Sequence, residues 1–316
     1  MDFQTQIPIQ KEAYNPISYN SKLLLIGSCF SKNIGEKFNY YKFQSNQNPF
    51  GILFHPKAIE NLCTNAINEK EYSENDVFFH NERWHCFDAH SSLSSVNKNE
   101  LLENLNSNIK STHQEIHHAS HIIITLGTAW MYRSIETDTI VANCHKIPQK
   151  KFLKELLSVD EITESLEATI ALIKSVNPNT TVVLTVSPVR HLKDGFTQNQ
   201  QSKSHLIAAI HQIAEPRNKV HYFPSYEIMM DELRDYRFYT EDMIHPNQTA
   251  INYIWERFSE AWISEDSKKT MKEIEAIQKG LTHRPFNPNS DQHQLFLKNV
   301  ETKIENLKKS YPFFNF

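Results

Sequence analysis

The chain has 316 residues, of which 39% are hydrophobic and 22% charged, and its net charge is −4. That length can supply the core of one large domain or two modest ones. There is no basic excess to attract nucleic acid or an anionic membrane surface, and the longest apolar runs, 23–26 and 122–124, are far too short to span a bilayer. The stretch from Met1 to Gln6 lacks a basic segment leading into an apolar run, so it does not read as a signal peptide. Cys29, Cys63, Cys86 and Cys144 are well separated and form no C-x-x-C pair. Reduced thiols in a cytoplasmic protein are therefore expected, rather than a disulfide scaffold or a zinc ribbon.

Residues 1–21 are polar, carry Pro8 and Pro16, and read as an extended arm. The run Leu23-Leu24-Leu25-Ile26-Gly27-Ser28-Cys29-Phe30 predicts a buried strand, a glycine turn and then a helix with Phe30, Ile34 and Phe38 on one face. A second strand is expected within 41–47, closed by a loop at Asn48-Pro49-Phe50-Gly51, and a helix over 56–68. Residues 77–79 and 84–87 read as a hairpin, and 97–118 as a long helix. The apolar strand 121–126 ends at Gly127, and a further hairpin is expected from 129–133 and 139–142. Ser158-Val159-Asp160-Glu161 is a capping box opening a helix. A β-branched strand over 180–186 leads through a polar loop to a helix near 202–214. A short strand at 220–223, a helical piece at 226–233 and an aromatic loop at 236–239 precede a helix over 247–263.

Strands alternating with helices predict an α/β fold with a mostly parallel sheet covered on both faces. Beyond Ser264 the chain reads as charged helices broken by Arg284-Pro285-Phe286-Asn287-Pro288. The last helix shows Phe296, Val300, Ile304, Leu307 and Tyr311 on one side and is expected to pack on the main domain. The expected division is therefore an α/β domain over 1–263, with hairpin insertions near 77–87 and 129–142, and a C-terminal helical extension over 264–316.

Two stretches carry chemistry. Ser28 is placed at a strand's carboxyl end and a helix N-terminus, where the helix dipole favours negative charge and backbone N–H groups can hold an oxyanion. Taken alone, the pattern is more commonly that of an ordinary turn in which Ser28 only caps the helix. The second stretch is Asp242-Met243-Ile244-His245-Pro246-Asn247. Pro246 keeps His245 out of the helical region, and a carboxylate three residues before an imidazole can fix its tautomer and stabilise its protonated form.

In Gly27-Ser28-Cys29-Phe30 the chain resembles the GSCFA family, a branch of the SGNH/GDSL hydrolase superfamily. Asn48-Pro49-Phe50-Gly51, Thr125-Leu126-Gly127-Thr128-Ala129-Trp130, Asn143-Cys144-His145-Lys146, Asp242-Met243-Ile244-His245-Pro246 and the segment around His283-Arg284-Pro285-Phe286 extend the resemblance over most of the chain. It implies a flavodoxin-like three-layer α/β/α sandwich and a Ser-His-Asp site, with Ser28 as nucleophile and His245 and Asp242 as base and acid. It further implies oxyanion donors at Ser28 and Gly51 and at the third-block Gly127. Where the superfamily has asparagine this chain has Ala129, leaving one donor missing or replaced by Thr128. The implied activity is that of a serine hydrolase or acyltransferase needing no cofactor and acting on a small-molecule or carbohydrate ester, an acetyl or short acyl group by analogy. Asn48, Cys144, His145, Arg190 and His191 are further candidates for the substrate pocket, with Arg190 more readily a surface arginine and Asn143-Cys144-His145-Lys146 equally readable as a structural hairpin end.

Ala129 motivates an alternative, a binding protein that keeps the fold with weak or lost catalysis. Cys29 could itself be a nucleophile, since a helix N-terminus stabilises a thiolate, or a small buried residue. His113, His117, His118 and His121 suggest zinc by type, and hence a metal-dependent hydrolase. No carboxylate or cysteine completes that set, and an ordinary helix end is the competing reading.

Overall fold

Residues 5–316 are described by a computed structural model of the chain; the first four residues of the expected arm lie outside the described residues. Strand β1 (Lys22–Gly27) leads into helix α1 (Cys29–Tyr40), strand β2 (Gln44–Gln47) and helix α2 (Pro56–Ile67). A hairpin of β3 (Val77–His80) and β4 (Arg83–Cys86) precedes α3 (Lys98–His118) and β5 (His121–Leu126). Next come β6 (Trp130–Ser134), β7 (Ile140–Val141), β8 (Phe152–Leu156), α4 (Val159–Val176), β9 (Thr181–Val186), α5 (Phe196–Ile213) and β10 (Val220–Phe223). Three helices close the chain: α6 (Gln248–Trp262), α7 (Glu265–Leu281) and α8 (Asp291–Ser310).

The central sheet has the order β10-β9-β5-β1-β2, and every neighbouring pair runs parallel. Its three central strands, β1, β5 and β9, are buried on both faces because both are covered. Alternate residues of β1 serve opposite layers. Leu24 and Ile26 join Ile59 and Leu62 of α2, Leu105 of α3, Leu166 of α4 and Leu206 of α5. Leu23 and Leu25 join Phe38 of α1, Ile254 and Phe258 of α6, and Ile274 and Ile277 of α7. This is the expected α/β architecture: helices on both sides of a mostly parallel sheet, with C-terminal helices added to one of them.

The extension is joined to that second layer. Val300 and Leu307 of α8 lie in the same buried cluster as Phe38 and Ile254. Tyr19 of the arm stacks on Phe43 at 4.4 Å and meets Tyr311 and Phe314, each at 5.0 Å. Among the described residues no helix is long and apolar enough to cross a membrane, and the four cysteines are free.

Two elements depart from the sequence pattern. Strand β8 was not expected; it pairs antiparallel with β6, so the second hairpin becomes a three-stranded sheet of order β7-β6-β8. Its Lys154 and Glu155 hid it, and Glu155 is held across the strands by Arg133 at 3.1 Å. Helix α5 begins at Phe196 instead of near Ser202, because its first turns are polar and show no apolar stripe.

The capping box at Ser158 is formed: its Oγ accepts from the Glu161 N–H at 3.2 Å, and its own N–H donates to the Glu161 carboxylate at 2.8 Å. Ser158→Ala is expected to lower stability by about 1 kcal/mol, read as a shift in the urea midpoint at unchanged slope.

Candidate active site

The order of the central strands is that of a doubly wound sheet whose direction of winding reverses between β1 and β5, where such sheets open a crevice at the strands' carboxyl ends. Gly27 and Ser28 end β1 there, and Gly127 follows β5. Gly27 has φ +142°, and a Cβ on it would fall 2.1 Å from the Thr125 carbonyl oxygen. Only glycine lets β1 finish this close to β5. Ser28, next in line, is the N-cap of α1 and is 1% exposed. Its Oγ accepts from the Phe30 N–H at 3.3 Å, which leaves the hydroxyl proton to be donated elsewhere.

The loop before α6 is held by its own carboxylate. Asp242 Oδ1 accepts from Thr240 Oγ1 at 2.6 Å, from the Ile244 N–H at 2.8 Å and from the His245 N–H at 3.0 Å, while Oδ2 faces His245 Nδ1 at 2.7 Å. The Thr240 hydroxyl, followed by the backbone and imidazole of His245, drives the Asp242 carboxyl far below the usual carboxylate range. The carboxylate therefore stays ionised and fixes the tautomer that leaves His245 Nε2 outward. The loop docks on the segment after β9: the Arg190 N–H donates to the Ile244 carbonyl at 3.2 Å, and its guanidinium donates to the Met243 carbonyl at 3.1 Å and lies 4.0 Å over the Tyr239 ring. Arg190 thus acts as a clamp on the histidine loop.

His191 faces the crevice. A Cβ placed on Gly127 would lie 3.1 Å from His191 Nε2, 3.2 Å from the Phe54 carbonyl oxygen and 3.3 Å from Ser28 Cβ. The bare face of Gly127 is therefore shared by the serine and this imidazole. The His191 N–H donates to Asn199 Oδ1 at 2.8 Å, and its ring meets Phe54 edge-on at 5.6 Å. Burial, followed by the charges of Lys203 and His245, pushes the His191 imidazole down to about 3, so it is neutral at physiological pH.

The backbone N–H groups expected to hold an oxyanion are already engaged. Ser28 donates to the Thr125 carbonyl at 3.0 Å and Gly51 to the Asn48 carbonyl at 2.7 Å; Gly127 and Thr128 both donate to the Phe54 carbonyl, at 2.7 and 3.1 Å. Thr128 Oγ1 does not replace the missing asparagine, because it pairs with Ser202 Oγ at 3.0 Å. Ala129 is wholly buried and its N–H donates to Ser202 Oγ at 2.7 Å, so the side-chain position itself is turned into the core. Asn48 is close by: its Oδ1 accepts from the Gly27 N–H at 2.8 Å.

Cys144 and His145 serve the inserted strands. His145 is buried, its Nε2 pairs with the Cys86 carbonyl at 2.7 Å, and its ring lies 4.6 Å from His85. Burial raises the Cys144 thiol to about 11. Burial likewise raises the Cys29 thiol, outweighing its own backbone N–H and the nearby Lys32 and Lys203, which disfavours a thiolate there. Of the expected zinc histidines, His113 pairs with the Ala66 carbonyl, His117 with the His113 carbonyl, and His121 with the Asn15 carbonyl. Among the described residues no group of three or more His, Cys, Asp or Glu is placed to hold a metal ion.

Two contributors had not been singled out from the sequence. Phe54 offers no signal in its residue type. Lys203 does: it stands on the buried stripe of α5 with Asn199, Ser202, Leu206 and Ile210. It is 1% exposed and donates to the Gly127 carbonyl at 2.6 Å and the Ser187 carbonyl at 2.7 Å, tying together the two loops that rim the crevice.

Fold and site together define an α/β protein with a buried serine at its sheet crevice and an aspartate–histidine pair on a clamped loop. The model of the GSCFA family matches residues 22–258, and that of the GSCFA C-terminal domain matches residues 274–316. The chain belongs to the GSCFA family. Among solved structures it is similar to a carbohydrate esterase family 3 protein from Talaromyces cellulolyticus, at 8% identity and a TM-score of 0.38, covering 81% of this chain and 99% of that one. No curated protein matches the chain.

Proposed function

We propose that this chain is a serine hydrolase or acyltransferase of the SGNH type acting on a small-molecule or carbohydrate ester. The observation that carries the reading is the docking of the Asp242–His245 pair, 2.7 Å apart, on the segment whose His191 faces Ser28 across Gly127. His245 Nε2 takes the Ser28 proton as Oγ attacks the ester carbonyl, and Asp242 stabilises the imidazolium. The imidazolium then protonates the departing alkoxide. Water, or an acceptor alcohol, gives its proton to His245 and attacks the acyl-serine, releasing acid or a new ester. With Ser28 only 1% exposed, the acyl group that reaches it is small, which supports an acetyl or short acyl ester. Free cysteines support a reducing, cytoplasmic setting.

A second reading, a binding protein with weak or no catalysis, is favoured by the engagement of all four anticipated backbone donors. Treatment with a fluorophosphonate probe, alongside a p-nitrophenyl acetate assay, separates the two. The wild type is expected to be labelled on the peptide carrying Ser28 and to turn over the ester, and Cys29→Ala to do both unchanged. A wild type that is neither labelled nor active leaves the binding protein; labelling lost in Cys29→Ala moves the nucleophile to the thiol.

A further inference from the structure

An acyl transfer at Ser28 needs donors for the oxyanion, and the four backbone donors anticipated for it are engaged. Ser28, Gly51, Gly127 and Thr128 each give their N–H to a carbonyl within 3.1 Å. Two buried side-chain atoms beside Ser28 are in the opposite condition. Asn48 Nδ2 and His191 Nε2 are shielded from solvent and have no hydrogen-bond partner. A buried polar group without a partner is rare and calls for an explanation such as a catalytic role.

Both atoms are fixed in place by their neighbours. Asn48 sits at φ +47°, a left-handed conformation that asparagine tolerates better than most residues. Its N–H donates to the Leu25 carbonyl at 2.8 Å, and its Oδ1 holds the Gly27 N–H at 2.8 Å. The rest of the carboxamide is thereby oriented beside the residue that precedes the serine. On the other side, Asn199 holds the His191 backbone N–H and the Phe54 ring lies against the imidazole, with Nε2 over the same bare face of Gly127 that Ser28 Cβ meets. In a tetrahedral adduct on Ser28 the oxyanion is three bonds from that Cβ, so the serine's own geometry carries it to this region.

Resting on the serine-hydrolase reading, we propose that the oxyanion hole is made by two side chains, Nδ2 of Asn48 and Nε2–H of His191, in place of backbone N–H groups. Burial and the Lys203 charge hold the ring neutral, so the imidazole donates a hydrogen bond without protonating the intermediate. The site thus uses its two imidazoles differently: His245, beside a carboxylate, moves the proton, and His191, buried beside Lys203, holds the charge. The arrangement also accounts for a block lacking the usual asparagine, since Ala129 faces the core.

The test compares wild type, Asn48→Asp, His191→Leu and His191→Gln. Asn48→Asp keeps an acceptor for the Gly27 N–H and exchanges the Nδ2 donor for a carboxylate oxygen. His191→Gln offers a replacement amide donor, so it guards against a fold effect of leucine. With p-nitrophenyl acetate, kcat/KM is expected to fall by about 10²–10³-fold in Asn48→Asp and in His191→Leu, with KM little changed and much of the loss recovered in His191→Gln. A trifluoromethyl ketone, which adds to Ser28 Oγ to give an oxyanion while His245 takes the proton, is expected to bind more weakly by the same factors. Wild-type activity with Asn48→Asp and His191→Leu both within about threefold of it would overturn the side-chain hole and leave the serine-hydrolase reading standing. A wild type without labelling or turnover would overturn both.

Discussion

Ser28→Ala is expected to abolish fluorophosphonate labelling and to lower ester turnover by roughly 10⁴–10⁶-fold, because a triad without its nucleophile keeps only binding and oxyanion stabilisation. The fold is expected to survive. The Ser28 hydroxyl makes one hydrogen bond, accepted from the Phe30 N–H at 3.3 Å as the cap of α1. Losing a cap costs about 1 kcal/mol, well short of unfolding a domain of this size. The position is nonetheless demanding: Gly27 before it admits no side chain, and the Ser28 N–H is bound to β5 through Thr125. Far-ultraviolet circular dichroism and a thermal melt, run beside the labelling, separate loss of the hydroxyl from loss of structure. A folded Ser28→Ala that still turns over the ester would show that the nucleophile is another group.

Much of this arrangement is written locally in the chain. Strands β1, β5 and β9 are mostly apolar because both faces of a parallel sheet are covered, and each is short and ended by a turn signal. The Asp242–His245 pair is equally local, since a three-residue spacing and a following proline determine it almost alone. The oxyanion donors are different. Whether the Ser28 N–H is free depends on where the Thr125 carbonyl lies, and Gly127 and Thr128 are used up by Phe54, more than seventy residues earlier in the chain. Such competition for hydrogen bonds is a property of the packed structure, so matching glycines to a motif could not reveal it. The same holds for Cys144 and His145: as part of a family landmark they read equally as pocket wall or hairpin end, and only the packing of His145 on Cys86 and His85 distinguishes the two. Arg190 was readable as a cation near the crevice, but its partners proved to be backbone carbonyls and tyrosine rings. Lys203 lay within reach of periodicity, as a lysine at i+4 from Asn199 and i−3 from Leu206. A polar first turn hid the start of α5 and so hid the stripe.

Lys203 carries the largest expected effect on stability. Two carbonyls at 2.6 and 2.7 Å favour its ammonium form, as does the neighbouring Cys29. Complete burial opposes it more strongly and pushes the amine down to about 7. The folded pKa thus lies below the unfolded one. Above the folded value the unfolded chain binds more protons than the folded chain, so stability rises with pH from about 7 toward the ordinary lysine range, by about 5 kcal/mol over the whole interval. Below about 7 both states are protonated and this contribution no longer changes. Lys203→Met removes the titration and leaves the Gly127 and Ser187 carbonyls unpaired, at about 1–3 kcal/mol each. Urea unfolding of both proteins at pH 7 and 9.5 isolates the lysine, since the other titrating groups cancel in the difference. The wild type is expected to gain about 3 kcal/mol on Lys203→Met between those two pH values. Parallel curves would mean that the ammonium is fully compensated by its two carbonyls. In that case the lysine would hold the crevice loops together as a permanent charge, and the neutral state of His191 would rest on a fixed neighbour at every working pH.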